Sequence, residues 1–336
     1  LKIGGTILNC TTTNRSFSFT RTTVGDNLIP VFFITTLLLL LLLPSQPALG
    51  EKLVVDNKYY SSDYWRIQDA VDNARYGDTV YVKPGTYNEA IDLKSGITLE
   101  GAGAEETRIT YSGDDRVIDI YEISDVTVSG FTLEYTGSEN RVVIRIKNSS
   151  TNVVLRNNLI TGAIYSGVTV SKNSSKIIIE DNVVRDNKQS GIYVLGDSSA
   201  VIRNNEIYDN GYYGISIKGE TSSEIINNTI VFNASNGFYP RLGTEPLFQN
   251  NIVVKNKDGI DVTTKSGSDG NPSLAYNNVW GNEKRNYEGL DQPPTDMSLD
   301  PEFVDLEGRD FNLKPTSPCI GAGKDGEDLG ANPYET

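Results

Sequence analysis

From residue 150 onward, apolar and polar positions alternate in short runs, and the runs return at a fixed distance. The chain reads VVLRNNLITG, IIIEDNVVRDN, AVIRNNEIYDN, EIINNTIVFN, LFQNNIVVKN and LAYNNVWGN. The second asparagine of each pair falls at Asn158, Asn182, Asn205, Asn228, Asn251 and Asn278, in steps of 24, 23, 23, 23 and 27. A second asparagine series runs through Asn187, Asn210, Asn233, Asn256 and Asn282. A glycine series runs through Gly167, Gly191, Gly214, Gly237 and Gly259. Runs of three to five residues with period-2 alternation are strands, too short for helices. One coil cannot bury its own apolar face, so successive coils must stack, about 4.8 Å apart. The predicted inward columns are Leu155, Ile179, Ile202, Ile225 and Phe248, then Ile160, Val184, Ile207, Ile230 and Val253, then Val168, Ile192, Ile215, Phe238 and Ile260. Asparagine and glycine at the corners tolerate left-handed backbone, and stacked asparagines satisfy corner groups by hydrogen bonding up the stack. The predicted fold is all-β: a single-stranded right-handed parallel β-helix, a solenoid.

A different period opens this region. In SSDYWRIQDAVDNARYGD, Ile67, Ala70, Val71 and Ala74 share one helical face. Ser62 or Asp63 is placed to cap the start and Gly77 to end it. A short N-terminal capping helix would shield the first edge of the solenoid from intermolecular pairing. Residues 28–43, LIPVFFITTLLLLLLL, are continuously apolar and precede a small-x-small pattern at Ala48-Leu49-Gly50. That pattern predicts a secretory signal cleaved near Gly50; as a membrane span the 16-residue run is short. The predicted organisation is residues 1–50 as signal and upstream segment, 51–94 as cap and first strand, 95–290 as coils, and 291–336 as a closing segment. The expected location is secreted, periplasmic or cell-surface. Membrane contact would come only through an uncleaved N-terminal segment.

Composition narrows the chemistry. Histidine is absent from the sequence, which removes a Ser-His-Asp triad, an imidazole base and a histidine metal ligand. A metal, if bound, would be hard and held by oxygen, which leaves room for calcium. Cys10 and Cys319 are the only cysteines, and Cys10 lies in the segment expected to be removed. Cys319 then reads as a small buried apolar residue near the last coil. The formal charge is −14, and the part from Glu51 onward carries 27 positive and 43 negative side chains. An acidic solenoid argues against nucleic acid. It also repels uronate polymers unless a basic patch or cations intervene.

The stretch IQDAVDNARYGDTVYVKPGTYNEAIDLKSGITLEGAGAEETRI resembles the opening segment of right-handed β-helix repeat proteins of the pectin-lyase-like superfamily. The pattern is similar to the β-helix region of NosD-type periplasmic copper-processing proteins and to exported pectate-lyase-like proteins. The ending, YNNVWGNEKRNY and DPEFVDLEGRDFNLKPTSPCIGAGKDGEDLGANPYE, resembles the close of such chains. The resemblance covers about residues 53–334 and is specific for fold, because the fold hosts many activities. The Trp-Ile-Asp-His, Gly-His-Gly and Asp-Pro-His segments of its lyases, polygalacturonases and epimerases are missing, as are the methylesterase motifs. If the chain is an enzyme, what the resemblance leaves is a polysaccharide lyase using lysine or arginine, with or without calcium.

Candidate residues lie outward on the strand after the glycine column, at Thr169, Tyr193, Ser216, Tyr239 and Asp261, with Lys218 and Arg241 two residues on. Tyr193 and Tyr239, two coils or about 9.6 Å apart, could stack on sugar. Lys218, Arg241 and Arg203 are the catalytic candidates. A second outward column, Arg156, Glu180, Arg203, Ile226, Gln249 and Tyr276, reads chiefly as a cross-strand charge ladder. Asp258, Asp261 and Asp269, beside an insertion, are the metal candidates. Two readings follow: a monomeric exported protein that binds or processes an extracellular polysaccharide, or a non-catalytic scaffold that contacts another protein or an envelope component.

Overall fold

The inward columns predicted from the sequence are the core. The computed structural model describes residues 2–3, 6–13, 16–22, 50–58, 62–219, 222–263 and 270–334. The signal-like run 28–43 and Asp269 lie outside these residues. Strands Lys2–Ile3, Thr6–Thr13 and Ser16–Thr22 form an antiparallel sheet in a unit of their own, residues 1–48. The other described residues wind through nine coils, each giving one strand to each of three parallel sheets, and Lys52–Val55 adds a tenth strand to the first sheet. Sheet 1 runs from Lys52–Val55 to Ser273–Ala275, sheet 2 from Gly85–Asn88 to Asn278–Trp280, and sheet 3 from Ile91–Asp92 to Arg285–Glu288. All fifteen predicted inward residues from Leu155 to Ile260 are fully buried. Each buried branched side chain is worth about 1.5–3 kcal/mol against exposure.

The asparagine columns are hydrogen-bonded ladders. Asn205 donates its backbone N–H to Asn228 Oδ1 at 3.1 Å and its Nδ2 to the same oxygen at 2.9 Å. Its Nδ2 also reaches Ile179 O and Arg203 O, each at 2.8 Å. Asn158, Asn182 and Asn228 repeat the pattern in the first ladder; Asn187, Asn210, Asn233 and Asn256 form the second. The left-handed backbone lies one residue before the first ladder, at Asn157, Asp181, Asn204, Asn227, Asn250 and Tyr276, not at the ladder residues themselves.

Three sequence expectations are corrected. The last step of the first ladder is 26 residues, because Asn251 bonds to Asn277 rather than Asn278. Phe248 pairs with Leu274 and Gln249 with Ala275, so Ala275 replaces Tyr276 in the outward column. The doubled asparagines suggested the wrong partner because the register slides by one. Second, the glycines are not required for left-handed backbone: none of the five column glycines has a positive φ. They are required by crowding. A Cβ on Gly214 would lie 2.5 Å from Ile230 Cγ2 and 2.6 Å from Gly237 O in the adjoining coil. Third, neither Ser62 nor Asp63 caps the helix Ile67–Asn73, and Gly77 does not end it. The Glu89 carboxylate accepts the Ile67 and Gln68 N–H groups instead, from 22 and 21 residues away. Ala74 closes the helix in extended conformation, and Gly77 makes a later turn at φ +96. Ile67, Ala70, Val71 and Ala74 are buried, as the helical face predicted.

The closing segment lies over the outer face of sheet 2. Phe303, Phe311, Leu313, Cys319 and Leu329 pack on Tyr208, Val231, Ile252 and Val254. Arg309 grips Asp209 with two nitrogens at 2.7 and 2.9 Å, and Asn332 bonds Glu206. Cys319 is fully buried, and burial pushes its thiol up to about 11, so it behaves as the apolar residue predicted.

The first ladder ends on an acid. Asp296 Oδ1 accepts the Asn277 N–H at 2.9 Å, and Oδ2 accepts the Tyr287 hydroxyl at 3.0 Å. Burial lifts its pKa above the ordinary 3.8, against the pull of the Asn277 and Tyr287 hydrogen bonds. A carboxyl raised in the folded state contributes stability below its unfolded pKa and loses it as pH rises through the folded one. Asp296→Asn should therefore flatten the decline in stability above pH 3.8. Denaturant midpoints measured in mildly acidic and neutral buffer check this. Asn205→Ala strands the Asn182 N–H and the Ile179 carbonyl together. It should cost about 2–5 kcal/mol by the same measurement; a loss under about 1 kcal/mol would show that the ladder is ornamental.

Candidate functional site

The parallel register turns one outward row of sheet 3 into a surface with a fixed repeat. That row reads Asp92, Asp119, Arg145, Thr169, Tyr193, Ser216 and Tyr239, one residue per coil. Two residues along, a parallel row reads Tyr121, Lys147, Ser171, Leu195, Lys218 and Arg241. Tyr193, Ser216, Tyr239, Lys218 and Arg241 thus meet on one face, as the spacing predicted. Arg203 is on sheet 1, where it bonds Glu180 at 2.8 Å through Nε. It belongs to a cross-strand ion pair and not to this face.

A cleft of about 300 Å³ opens here, lined by Tyr165, Gln189, Ser190, Tyr193, Tyr212, Tyr213, Ser216, Lys218 and Arg241. Its wall is the corner between the second asparagine ladder and the glycine column. There Gln189 N–H bonds Tyr165 O, and Tyr212 N–H bonds Gln189 O, each at 2.9 Å, so the corner residues also stack one per coil. Tyr165, Gln189, Tyr212 and Tyr213 were not among the sequence candidates. Their signal was present: each falls one or two residues before a column glycine.

The tyrosines form a connected group. Ring centroids lie 6.3 Å apart for Tyr165 and Tyr193, 4.2 Å for Tyr212 and Tyr213, and 4.6 Å for Tyr213 and Tyr239. The Arg241 guanidinium sits 5.0 Å from the Tyr239 ring and 5.9 Å from those of Tyr193 and Tyr213, within cation–π range. It donates to the Tyr193 hydroxyl at 3.3 Å, and the Tyr239 hydroxyl donates to Thr263 O at 3.0 Å. Burial raises the Tyr193 phenol above its ordinary 10.0, against the pull of Arg241. Burial, with Tyr212 beside it, raises Tyr213 much further. Both phenols therefore stay protonated, as donors rather than bases.

Two of the three acidic candidates, Asp258 and Asp261, are otherwise engaged; Asp269 lies outside the described residues. Asp258 contacts Arg285 at 3.4 Å. Asp261 accepts Asn236 Nδ2 at 2.8 Å, and the Thr263 N–H and hydroxyl at 2.9 and 2.7 Å. Three residues apart on one strand, about 10 Å along it, the two do not converge on one ion. Among the described residues no cluster of three acidic or cysteine side chains is placed to hold a metal. None of their helices is long and apolar enough to cross a membrane.

Comparison with known proteins places the architecture. The family model described as "Right handed beta helix region" matches residues 95–279. The catalytic domain of a GH87 alpha-1,3-glucanase in complex with nigerose superposes with a TM-score of 0.53 at 17% identity. That match covers 73% of this chain and 53% of the glucanase chain, so the protein spans about half that length. Pectate lyase Pel9A superposes with a TM-score of 0.52 at 12% identity, covering 85% of this chain and 97% of the lyase. At these identities the likeness is one of fold. No curated protein sequence matches the chain.

Phenols held protonated by the fold stabilise it below pH 10.0 and lose that contribution as pH rises through their folded values. Stability should decline above pH 10, and Tyr213→Phe should move the onset of alkaline unfolding upward. A pH series of thermal melts, with tyrosine ionisation followed by ultraviolet absorbance, checks this.

Proposed function

The chain belongs to the right-handed β-helix family, and on that scaffold we propose that it binds an extracellular polysaccharide in the tyrosine-lined cleft on sheet 3. The carrying observation is the convergence of four aromatic rings, Tyr165, Tyr193, Tyr212 and Tyr213, with Lys218 and Arg241 around one concavity. Aromatic faces pack against the apolar C–H surface of a pyranose, while phenol and cationic donors take its hydroxyl or acid groups. Tyr212 is 48% exposed, which leaves its ring open to a ligand at the cleft. The signal-like segment supports export, and the two fold neighbours are named for polysaccharide-active enzymes.

Binding fits the groups present better than hydrolysis does. Among the described residues the cleft lining holds no carboxylate, and glycoside hydrolysis ordinarily needs two. Lyase chemistry is the second reading, favoured by Lys218 and Arg241 standing on adjoining coils. One would take the proton beside a carboxylate that the other neutralises. A scaffold that docks on an envelope component is the alternative to both.

A panel of neutral and acidic polysaccharides, with binding measured by affinity electrophoresis, tests the proposal. Lyase products would be followed by the ultraviolet absorbance of unsaturated sugars, with and without calcium. At least one polysaccharide should bind, and Tyr193→Ala and Tyr212→Ala should each weaken it about three- to tenfold. Silence across the panel would leave the scaffold reading standing.

A further inference from the structure

The solenoid carries two apolar surfaces on its outside and covers one of them. On sheet 2 the outward residues Tyr208, Val231, Ile252 and Val254 are buried under the closing segment. On sheet 1 the register sets Val154, Ile178 and Val201 in one outward row on three successive coils. Ile226 and Leu247 continue the apolar surface over the next two coils. All five are partly exposed, and none packs against either buried cluster. An outward side chain in a continuous sheet is shielded by its neighbours in the adjoining coils, so partial exposure is what an uncovered face shows. A contiguous apolar row of this kind, rimmed by polar residues, marks an interaction surface.

Charge and size decide what fits there. The protein carries a net −14, which makes its copies repel one another over most of their surface. Sheet 1 is the exception. In its ten strands Lys52, Arg156, Lys176 and Arg203 are balanced by Glu100, Asp125, Glu180 and Glu224. The strands span about 43 Å along the solenoid and about 15 Å across it, roughly 650 Å² before side-chain relief is counted. A standard interface buries about 800 Å² per partner, so the whole face supplies the area and a part of it does not. A second copy of the chain offers a surface of the same length, with the same apolar row and the same balance of charge.

Charge also sets the orientation. Two kinds of twofold axis bring sheet 1 against its own copy, about 10 Å away. An axis along the strands sets Glu180 against itself and Arg156 against Arg203, one coil to either side. An axis along the solenoid keeps each coil opposite itself with its strand reversed. Glu180, two residues after Ile178, then faces Lys176 of the second copy, two residues before it. Neither Arg156 nor Lys176 has a carboxylate within 4.0 Å among the described residues, so both have charge to offer. The cost falls on Glu224, which meets its own copy in the row of Ile178, and on Lys52 at the end of that row. We propose that the protein is a twofold dimer, in place of the monomer expected from the sequence, its two copies joined through sheet 1 with their solenoid axes parallel. The tyrosine-lined cleft is on sheet 3 and takes no part in the joint.

Sedimentation velocity on the full chain, over concentrations from about 1 to 100 μM, tests this. A monomer–dimer equilibrium is expected within that range. Ile178→Lys puts an unpaired charge into the joint and should weaken the dimer about tenfold or more, with the melting midpoint showing that the variant is folded. Glu224→Gln, an exposed change, removes the like charges that meet on the axis and should tighten the dimer about two- to fivefold. Association through the apolar run 28–43 would be indifferent to both substitutions. Leu247→Cys, in a Cys10→Ser background, checks the orientation with a short bifunctional maleimide. With solenoid axes parallel, residue 247 lies opposite its own copy and should cross-link. With the axis along the strands and through Ile178, the two would be about 29 Å apart and should not. A monomer throughout the range overturns the proposal, as does a dimer that neither Ile178→Lys nor Glu224→Gln alters. A dimer that Ile178→Lys weakens but that Leu247→Cys cannot cross-link overturns the parallel arrangement.

Discussion

Everything in this molecule depends on one residue per coil meeting its counterpart in the next. The asparagine ladders enforce that condition. The Asn205 amide accepts a backbone N–H and a side-chain N–H from Asn182 in the preceding coil, and donates to Asn228 in the next coil, to a carbonyl of the preceding coil and to one of its own corner. Buried at 0–2% exposure, such an amide cannot be exchanged for water, so a slip of one residue would strand several groups at once. Apolar burial supplies most of the stability, yet isoleucine columns alone would tolerate sliding. The amides supply the register.

Where the repeat was strict, the sequence could be read to the residue. The three inward columns and the outward positions Tyr193, Ser216, Tyr239, Lys218 and Arg241 followed from a 23-residue period alone. Where the period broke, local likeness misled. The pair Asn277-Asn278 looks like Asn250-Asn251, but the insertion before it shifts the chain, and Asn277 takes the ladder place. Asn278 instead bonds Leu299 O and Cys319 Sγ beneath the closing segment. The helix cap was hidden for another reason. Glu89 is more than 20 residues from the N–H groups it satisfies, and no local pattern encodes a partner at that distance.

The site was half legible. Residues inside strands inherit the period, so their facing was predictable. Tyr165, Tyr212 and Tyr213 sit in corners, where side-chain direction depends on turn geometry rather than alternation. Their stacking became visible only through the backbone bonds linking Tyr165, Gln189 and Tyr212. Asp258 and Asp261 do not converge for a related reason. Asp258 opens its strand beside the corner and Asp261 closes it, so nearness in sequence did not bring their carboxylates together.

The three faces differ in what they have left to offer. Sheet 2 carries apolar outward residues, Val231, Ile252 and Val254, and all are fully buried because the closing segment lies on them. Sheet 1 carries Arg203 paired with Glu180, a short-range neutralisation that leaves little net field. On sheet 3 the rings and cations of adjoining coils are drawn together without a closing segment over them and without carboxylates beside Lys218 and Arg241 among the described residues. A solenoid that stacks identical coils gains stability from sameness. Departures from sameness, such as Arg241 with its Nε unpartnered among the rings of Tyr193, Tyr213 and Tyr239, are therefore the positions at which a partner from outside the chain has most to contribute.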